Sequence, residues 1–268
     1  MKKIFLNRIA IVFFLLAFSG CNLQNSMLYY PSTDKPSRDF LTAYHIHYWG
    51  DASGDYRGYV STVPGSTQKG TIIVFHGNAG AAADRVYYVE ALAPLGYRVL
   101  LAEYPGYGGR KGELGEASFV KDAEETVRLA VEEFGKPVFL LGESLGCGVA
   151  AAAAGGSAGQ INGLILITPW DTLLAVAKEK FPWLPVRLFL TDTYDSIDNL
   201  KAYKGRIAIA GAERDDIIPV HHAQELFRAL PGEKKMWTIK AAGHNDWFEL
   251  VGPSWWKEIT DYVGKSEK

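Results

Sequence analysis

A serine between two glycines, in Gly142-Glu143-Ser144-Leu145-Gly146, is the arrangement in this chain best suited to covalent chemistry. The apolar run Pro137-Val138-Phe139-Leu140-Leu141 precedes it and reads as a strand buried on both faces. Cys147, Gly148 and the alanine-rich block Val149 to Ala154 follow it and read as a closely packed helix. Strand, Gly-x-Ser-x-Gly and helix together make a nucleophile elbow. The turn is so tight that a Cβ on either side of the serine would collide with its neighbours, and Gly142 and Gly146 meet that need. It lifts the Ser144 hydroxyl above the sheet, where the N-terminal N–H groups of the helix face any anion that develops. A purely structural turn could carry the same pentapeptide, but the strand before it and the helix after it favour catalysis. Cys147, three residues on, reads as a small packing residue rather than a second nucleophile.

A serine that transfers an acyl group needs a base, a group that orients the base, and donors for the oxyanion. After such an elbow the chain order is serine, acid, histidine. His244 is the expected base, in the polar loop Gly243-His244-Asn245-Asp246 directly after a strand ending near Lys240. His45, His47 and His76 precede Ser144, while His221 and His222 stand at a helix start, and each reads as a structural residue. The acid falls between Gly211 and Pro219, after the strand Arg206 to Ala210, where Asp215 and Asp216 compete. Counting back from Pro219 on the recurring pattern Asp-x-Ile/Val-Val-Pro selects Asp215, which would accept the Nδ1 proton of His244. For the oxyanion, one N–H is that of Leu145, following the nucleophile. The other is expected from Asn78, in the loop His76-Gly77-Asn78-Ala79-Gly80 after the strand Thr71 to Phe75. His76 reads as a hydrogen-bonding residue that shapes this loop. His45 and His47 share a strand face as metal ligands do, but no third ligand is evident, so no metal and no cofactor is expected.

These segments, together with Glu103-Tyr104-Pro105-Gly106-Tyr107-Gly108, resemble the α/β-hydrolase superfamily. More narrowly they are similar to the Bem46 and ABHD12/13/17-like serine hydrolases, from about residue 28 to the end. The resemblance implies an α/β fold with a doubly wound, mostly parallel sheet of about eight strands and helices on both faces. It also implies hydrolysis of a carboxylic ester or thioester by Ser144, His244 and Asp215 through an acyl-enzyme. Thr168-Pro169-Trp170 departs from the more usual Ser-Pro-Phe, which leaves the pocket shape open. Two other classes stay in view. One is a serine peptidase or amidase, because the same machinery cleaves amides; the other is a periplasmic binding lipoprotein that keeps the fold without the reaction.

The elements that must hold these residues begin with an antiparallel pair, Leu41 to Trp49 and Tyr56 to Val63. From Gly70 strands alternate with helices, the pattern of a mostly parallel sheet. The expected strands are Thr71 to Phe75, Arg98 to Ala102, Val138 to Leu141, Ile161 to Ile167, Arg206 to Ala210 and Lys235 to Lys240. The expected helices, besides the one after the elbow, are Ala83 to Leu95, Gly115 to Phe134, His221 to Leu230 and Trp247 to Val263. Thr172 to Tyr194 breaks the alternation with Phe181, Pro182, Trp183, Leu184 and Pro185, and reads as a small cap within residues 171–195. Its rival is an ordinary core helix broken by prolines.

With 268 residues, 48% of them hydrophobic, the chain has material for one large α/β domain, and a net charge of -2 argues against a nucleic-acid partner. Lys2, Lys3 and Arg8 followed by the apolar run Ile9 to Phe18 make a signal peptide, since the run is too short to span a bilayer core of about 30 Å. Phe18-Ser19-Gly20-Cys21 resembles a bacterial lipobox, which implies cleavage after residue 20 and lipid attachment at Cys21; ordinary secretion is the alternative. Asn22 in place of aspartate points to the outer membrane, facing the periplasm. The expected organisation is a leader over 1–20, a tether over 21–27 and a hydrolase domain over 28–268, acting on a small-molecule or lipid-like acyl ester.

Overall fold

The computed structural model describes residues 24–50, 55–62, 69–157 and 159–265. The leader and the lipidation residue Cys21 lie outside the described residues.

Eight strands form the main sheet: β1 (Ile46–Gly50), β2 (Tyr56–Ser61), β3 (Thr71–Phe75), β4 (Arg98–Ala102), β5 (Val138–Glu143), β6 (Gly163–Ile167), β7 (Arg206–Ala212) and β8 (Lys234–Ile239). Across the sheet they run β8-β7-β6-β5-β3-β4-β2-β1. The pairs β1–β2 and β2–β4 are antiparallel and the others parallel. The chain therefore reverses its direction of winding around β3, between β4 on one side and β5 on the other. Open α/β sheets bind ligands at the carboxyl ends of strands at such a reversal.

Alternation along each strand feeds two cores. Ile73, Phe75, Leu140, Leu164 and Leu166 face one side, and Ile72, Val74, Leu141, Ile165 and Ile167 the other. The helices are α1 (Arg38–Ala43), α2 (Tyr87–Leu92), α3 (Glu116–Phe134), α4 (Leu145–Gly156), α5 (Leu173–Lys180), α6 (Ser196–Leu200), α7 (Val220–Ala229) and α8 (Pro253–Val263). Phe119, Ala123, Val127 and Ala130 line one stripe of α3 and pack on the first face together with α4, α6 and α7. Tyr88 and Leu92 of α2 and Trp256, Ile259 and Val263 of α8 cover the second. Each such side chain contributes about 1.5–3 kcal/mol when taken out of water.

Three elements depart from the sequence reading. Leu41 to Ala43 belong to α1 rather than to a strand: Ser37 caps that helix by accepting from the Phe40 N–H at 3.2 Å. His45 then turns at φ 52°, so β1 starts only at Ile46, and His45 and His47 do not share a strand face. The expected helix Ala83 to Leu95 is α2 between two 3₁₀ turns, Ala82–Arg85 and Ala93–Leu95, the second with Pro94 in its first turn. Trp247 to Val263 is likewise split, into a 3₁₀ turn Trp247–Leu250 and α8, because Pro253 can only begin a helix.

The tether assignment also changes. Residues 24–28 are helical, and the buried Gln24 accepts from the Thr191 and Asp192 N–H groups at 2.7 and 3.1 Å while donating to the Asp192 carboxylate at 2.7 Å. Tyr30–Pro31 then pairs in parallel with Ala79–Gly80. The N-terminal segment is thus stitched to the loop after β3 and to the excursion that follows β6. That excursion holds α5 and a 3₁₀ turn Val186–Leu188, exposes Trp183 and Leu188, and closes at its base by the Thr172–Asp195 bridge. Among the described residues no helix is long and apolar enough to cross a membrane.

Candidate active site

Phe75 of β3 pairs with Gly142 of β5, so the loop after β3 emerges beside the elbow. A Cβ on Gly77 would lie 3.7 Å from that of Ser144. Ser144 joins β5 to α4 at φ 53° and ψ −117°, a conformation that costs an L residue roughly 1–3 kcal/mol. The surroundings hold it there. A Cβ on Gly146 would stand 2.0 Å from the Phe75 carbonyl oxygen, and one on Gly142 would stand 2.5 Å from that of Gly146. Only glycine fits either place. The alanines of α4 are small for a related reason, since this helix packs against β5, α3 and α6.

The structure brings Ser144, His244 and Asp215 together. Ser144 Oγ lies 2.9 Å from His244 Nε2, and His244 Nδ1 lies 2.7 Å from Asp215 Oδ2. The other carboxylate oxygen, Oδ1, accepts from the Ile217 and Ile218 N–H groups at 2.9 and 2.7 Å. Both oxygens of Asp215 are therefore oriented by partners within the chain. Asp216 is exposed and stands outside this line. The loops after β7 and β8 are themselves bonded: Glu213 and Arg214 N–H donate to the Ile239 and Ala242 carbonyls at 3.0 and 2.7 Å. Gly243 N–H donates to Asp246 Oδ1 at 2.6 Å, tightening the turn that carries His244.

Around the expected oxyanion donors, the loop after β3 is anchored through its carbonyls. Tyr104 and Tyr107 hydroxyls donate to the His76 and Asn78 carbonyls at 2.8 and 2.7 Å, and Asn78 Nδ2 donates to the Leu28 carbonyl at 2.9 Å. His76 is buried between the Gly77 carbonyl at 2.7 Å and Glu103 at 3.2 Å, so it stands on the loop and not on the serine. The tyrosines of the Glu103 to Gly108 segment thus serve to hold the backbone of residues 76–78 in place.

Cys147 is fully buried, with its thiol donating toward the Gly142 and Ile167 carbonyls, each at 3.1 Å. Burial pushes its pKa well above the ordinary value, so it stays an unreactive thiol.

Sequence reasoning passed over Glu143, the variable residue of the pentapeptide. Its carboxylate accepts from the Tyr87 and Tyr88 hydroxyls, the latter at 2.8 Å, and lies 3.5 Å from Arg85 Nε. Burial and this carboxylate push both phenols up, so they remain donors. Adjacent tyrosines at the start of a helix carry no signal that could have announced this contact, because α2 and β5 meet only in the tertiary fold. Also unannounced is an apolar cavity of about 200 Å³ between the N-terminal segment and the excursion, lined by Leu28, Leu173, Val176, Phe181, Leu184 and Phe189. Its wall residue Leu28 is the one bonded to Asn78. A larger groove of about 890 Å³ opens beside Gly205, Pro137 and Asn162, where β5, β6 and β7 begin, at the end of the sheet away from the elbow.

The family described as serine aminopeptidase, S33, matches residues 66–189. A protein of Mycobacterium tuberculosis described as uncharacterised is 33% identical over 178 residues, 65% of this chain and 63% of that one, so the match spans less than two thirds of the relative's length. The lysophosphatidylserine lipase ABHD12 of Xenopus tropicalis is 25% identical over 248 residues, 82% of this chain and 64% of the relative. In three dimensions the Pyrococcus furiosus esterase Pf2001 has the same fold, with a TM-score of 0.66 at 16% identity, covering 88% of this chain and 97% of that one. The strand order, the elbow at the end of β5 and the structural likeness give this chain the α/β-hydrolase fold, and its sequence is similar to that of Bem46 and ABHD12 proteins.

Proposed function

We propose that the protein is a serine hydrolase of carboxylic esters or thioesters that works through an acyl-enzyme on Ser144. The observation that carries this reading is the continuous line Ser144 Oγ–His244–Asp215, with contacts of 2.9 and 2.7 Å, set on a strained elbow. His244 Nε2 takes the hydroxyl proton as Oγ attacks the acyl carbon. Asp215 keeps the proton on Nδ1 and steadies the imidazolium. The tetrahedral oxyanion is met by the N–H groups of Leu145 and Asn78, the former at the positive end of α4. His244 then protonates the departing alcohol or thiol, and a water activated by the same nitrogen releases the acid.

A lipid-like acyl chain is the substrate that best suits the apolar cavity reaching Leu28, and the ABHD12 relative is named for hydrolysing a lysophospholipid. The serine aminopeptidase description of the matching family supports amide cleavage as a second reading. A fluorophosphonate probe is expected to label the protein. A series of p-nitrophenyl esters is expected to be hydrolysed with kcat/KM rising with chain length, well above peptide amides. No labelling would remove the enzyme reading, and amides turned over faster than every ester would move it to a peptidase.

The same reading includes a lipid anchor on Cys21, three residues before Gln24, which is bonded to the excursion at Asp192. One acyl chain holds a protein only marginally at a membrane, whereas several hold it stably. An anchor there would bring the exposed Trp183 and Leu188 of the excursion toward the lipid surface. Cys21→Ala is expected to block processing and release the protein from the membrane fraction; normal processing with full membrane retention would refute the anchor.

A further inference from the structure

Away from the serine, three side chains converge on one point. His221 and His222 open α7, and Glu179 stands near the end of α5. Glu179 Oε2 lies 2.9 Å from His221 Nε2 and 3.1 Å from His222 Nε2, and the three atoms all fall within 4.8 Å of one another. The other ring nitrogen of His222, Nδ1, faces Asp171 Oδ1 at 2.8 Å. His222 is buried, while Glu179 and His221 are partly open to solvent.

We infer that Glu179, His221 and His222 form a binding site for a zinc-class divalent cation, clipping α5 of the excursion to α7 of the hydrolase domain. The donor set is the first argument. Two imidazoles and a carboxylate, with a further position left to water, is a known zinc ligand set. The distances are the second. Bonds of 2.0–2.1 Å in a tetrahedron put ligand atoms about 3.3 Å apart, close to the two separations of 2.9 and 3.1 Å. The carboxylate behind His222 is the third. A metal-bound imidazole almost always gives its remaining N–H to a carboxylate or carbonyl, which fixes the tautomer and aims the free lone pair at the ion. Asp171 does this for His222, leaving Nε2 turned toward Glu179 and His221.

The site also lies close to the chemistry. His222 N–H donates to the Pro219 carbonyl at 2.9 Å, and Lys180, next to Glu179, donates to the Asp216 carbonyl. The cation would therefore brace the loop that carries Asp215.

The sequence alone gives this no support, since it offers His221 and His222 as a helix start and sets Glu179 more than forty positions away. The test is calorimetric titration of the chelator-treated protein with zinc, and with magnesium as a control. One zinc equivalent should bind, with no comparable magnesium uptake. Zinc at about 100 times its Kd should raise the melting temperature by roughly 5–10 °C. His221→Ala and Glu179→Gln replace partly exposed side chains, so folding should survive, and each should weaken zinc at least tenfold; Asp171→Asn should weaken it about 10–100-fold. The readout is binding and stability, independent of hydrolysis. Absence of a saturable zinc equivalent, or unchanged affinity in both His221→Ala and Glu179→Gln, would overturn the site.

Discussion

Ser144→Ala is expected to lower kcat for ester hydrolysis by about 10⁶-fold while leaving the melting temperature nearly unchanged. The loss is large because proton abstraction by His244 has no purpose without the Oγ 2.9 Å from its Nε2, and among the described residues no other hydroxyl or thiol is hydrogen-bonded to that nitrogen. Cys147 cannot take its place, since it is sealed in the core with its thiol directed at backbone carbonyls. The fold should persist because alanine occupies the same backbone conformation, φ 53°, with the same Cβ, so the strain at the elbow is neither relieved nor increased. Steady-state kinetics and a thermal melt read the two halves separately. Activity within tenfold of the unmodified protein would end the assignment of Ser144.

Asp215→Asn is expected to cost about 10⁴-fold in kcat, and Asp216→Asn less than threefold. The contrast follows from contacts. Asp215 accepts from Ile217 and Ile218 N–H through one oxygen and faces His244 Nδ1 with the other at 2.7 Å. An asparagine there keeps one oxygen on the two N–H groups and so turns its NH₂ toward Nδ1. The ring then holds its proton on Nε2, where it cannot accept from the serine. Asp216 is exposed and makes no contact with His244 among the described residues, so its amide changes little. A dead Asp216→Asn with an active Asp215→Asn would reverse the assignment.

Much of this was legible in the residues, for physical reasons. Strands β3 to β7 are continuous apolar runs because both faces are covered, and such runs carry their own signal. The elbow was legible because steric exclusion around Ser144 permits only glycine at 142 and 146. The position of Asp215 beside His244 was legible through a local spacing to Pro219, since two of its acceptor contacts are to residues two and three positions on.

What the tertiary structure alone decided depends on contacts between distant segments. A helix start competes with a strand at Leu41 to Ala43, and the Ser37 cap decides it with one hydrogen bond that no periodicity encodes. Gln24 reads as part of a polar linker, yet it is buried because Thr191 and Asp192, more than 160 residues later, supply its partners. Glu143 and the tyrosines of α2, and the convergence of Glu179 on His221 and His222, arise only when separate elements pack side by side. Local sterics and hydrophobic period act within a few residues and leave a trace there. A buried polar contact between remote segments leaves none until the chain has folded and burial has made an unpaired partner costly.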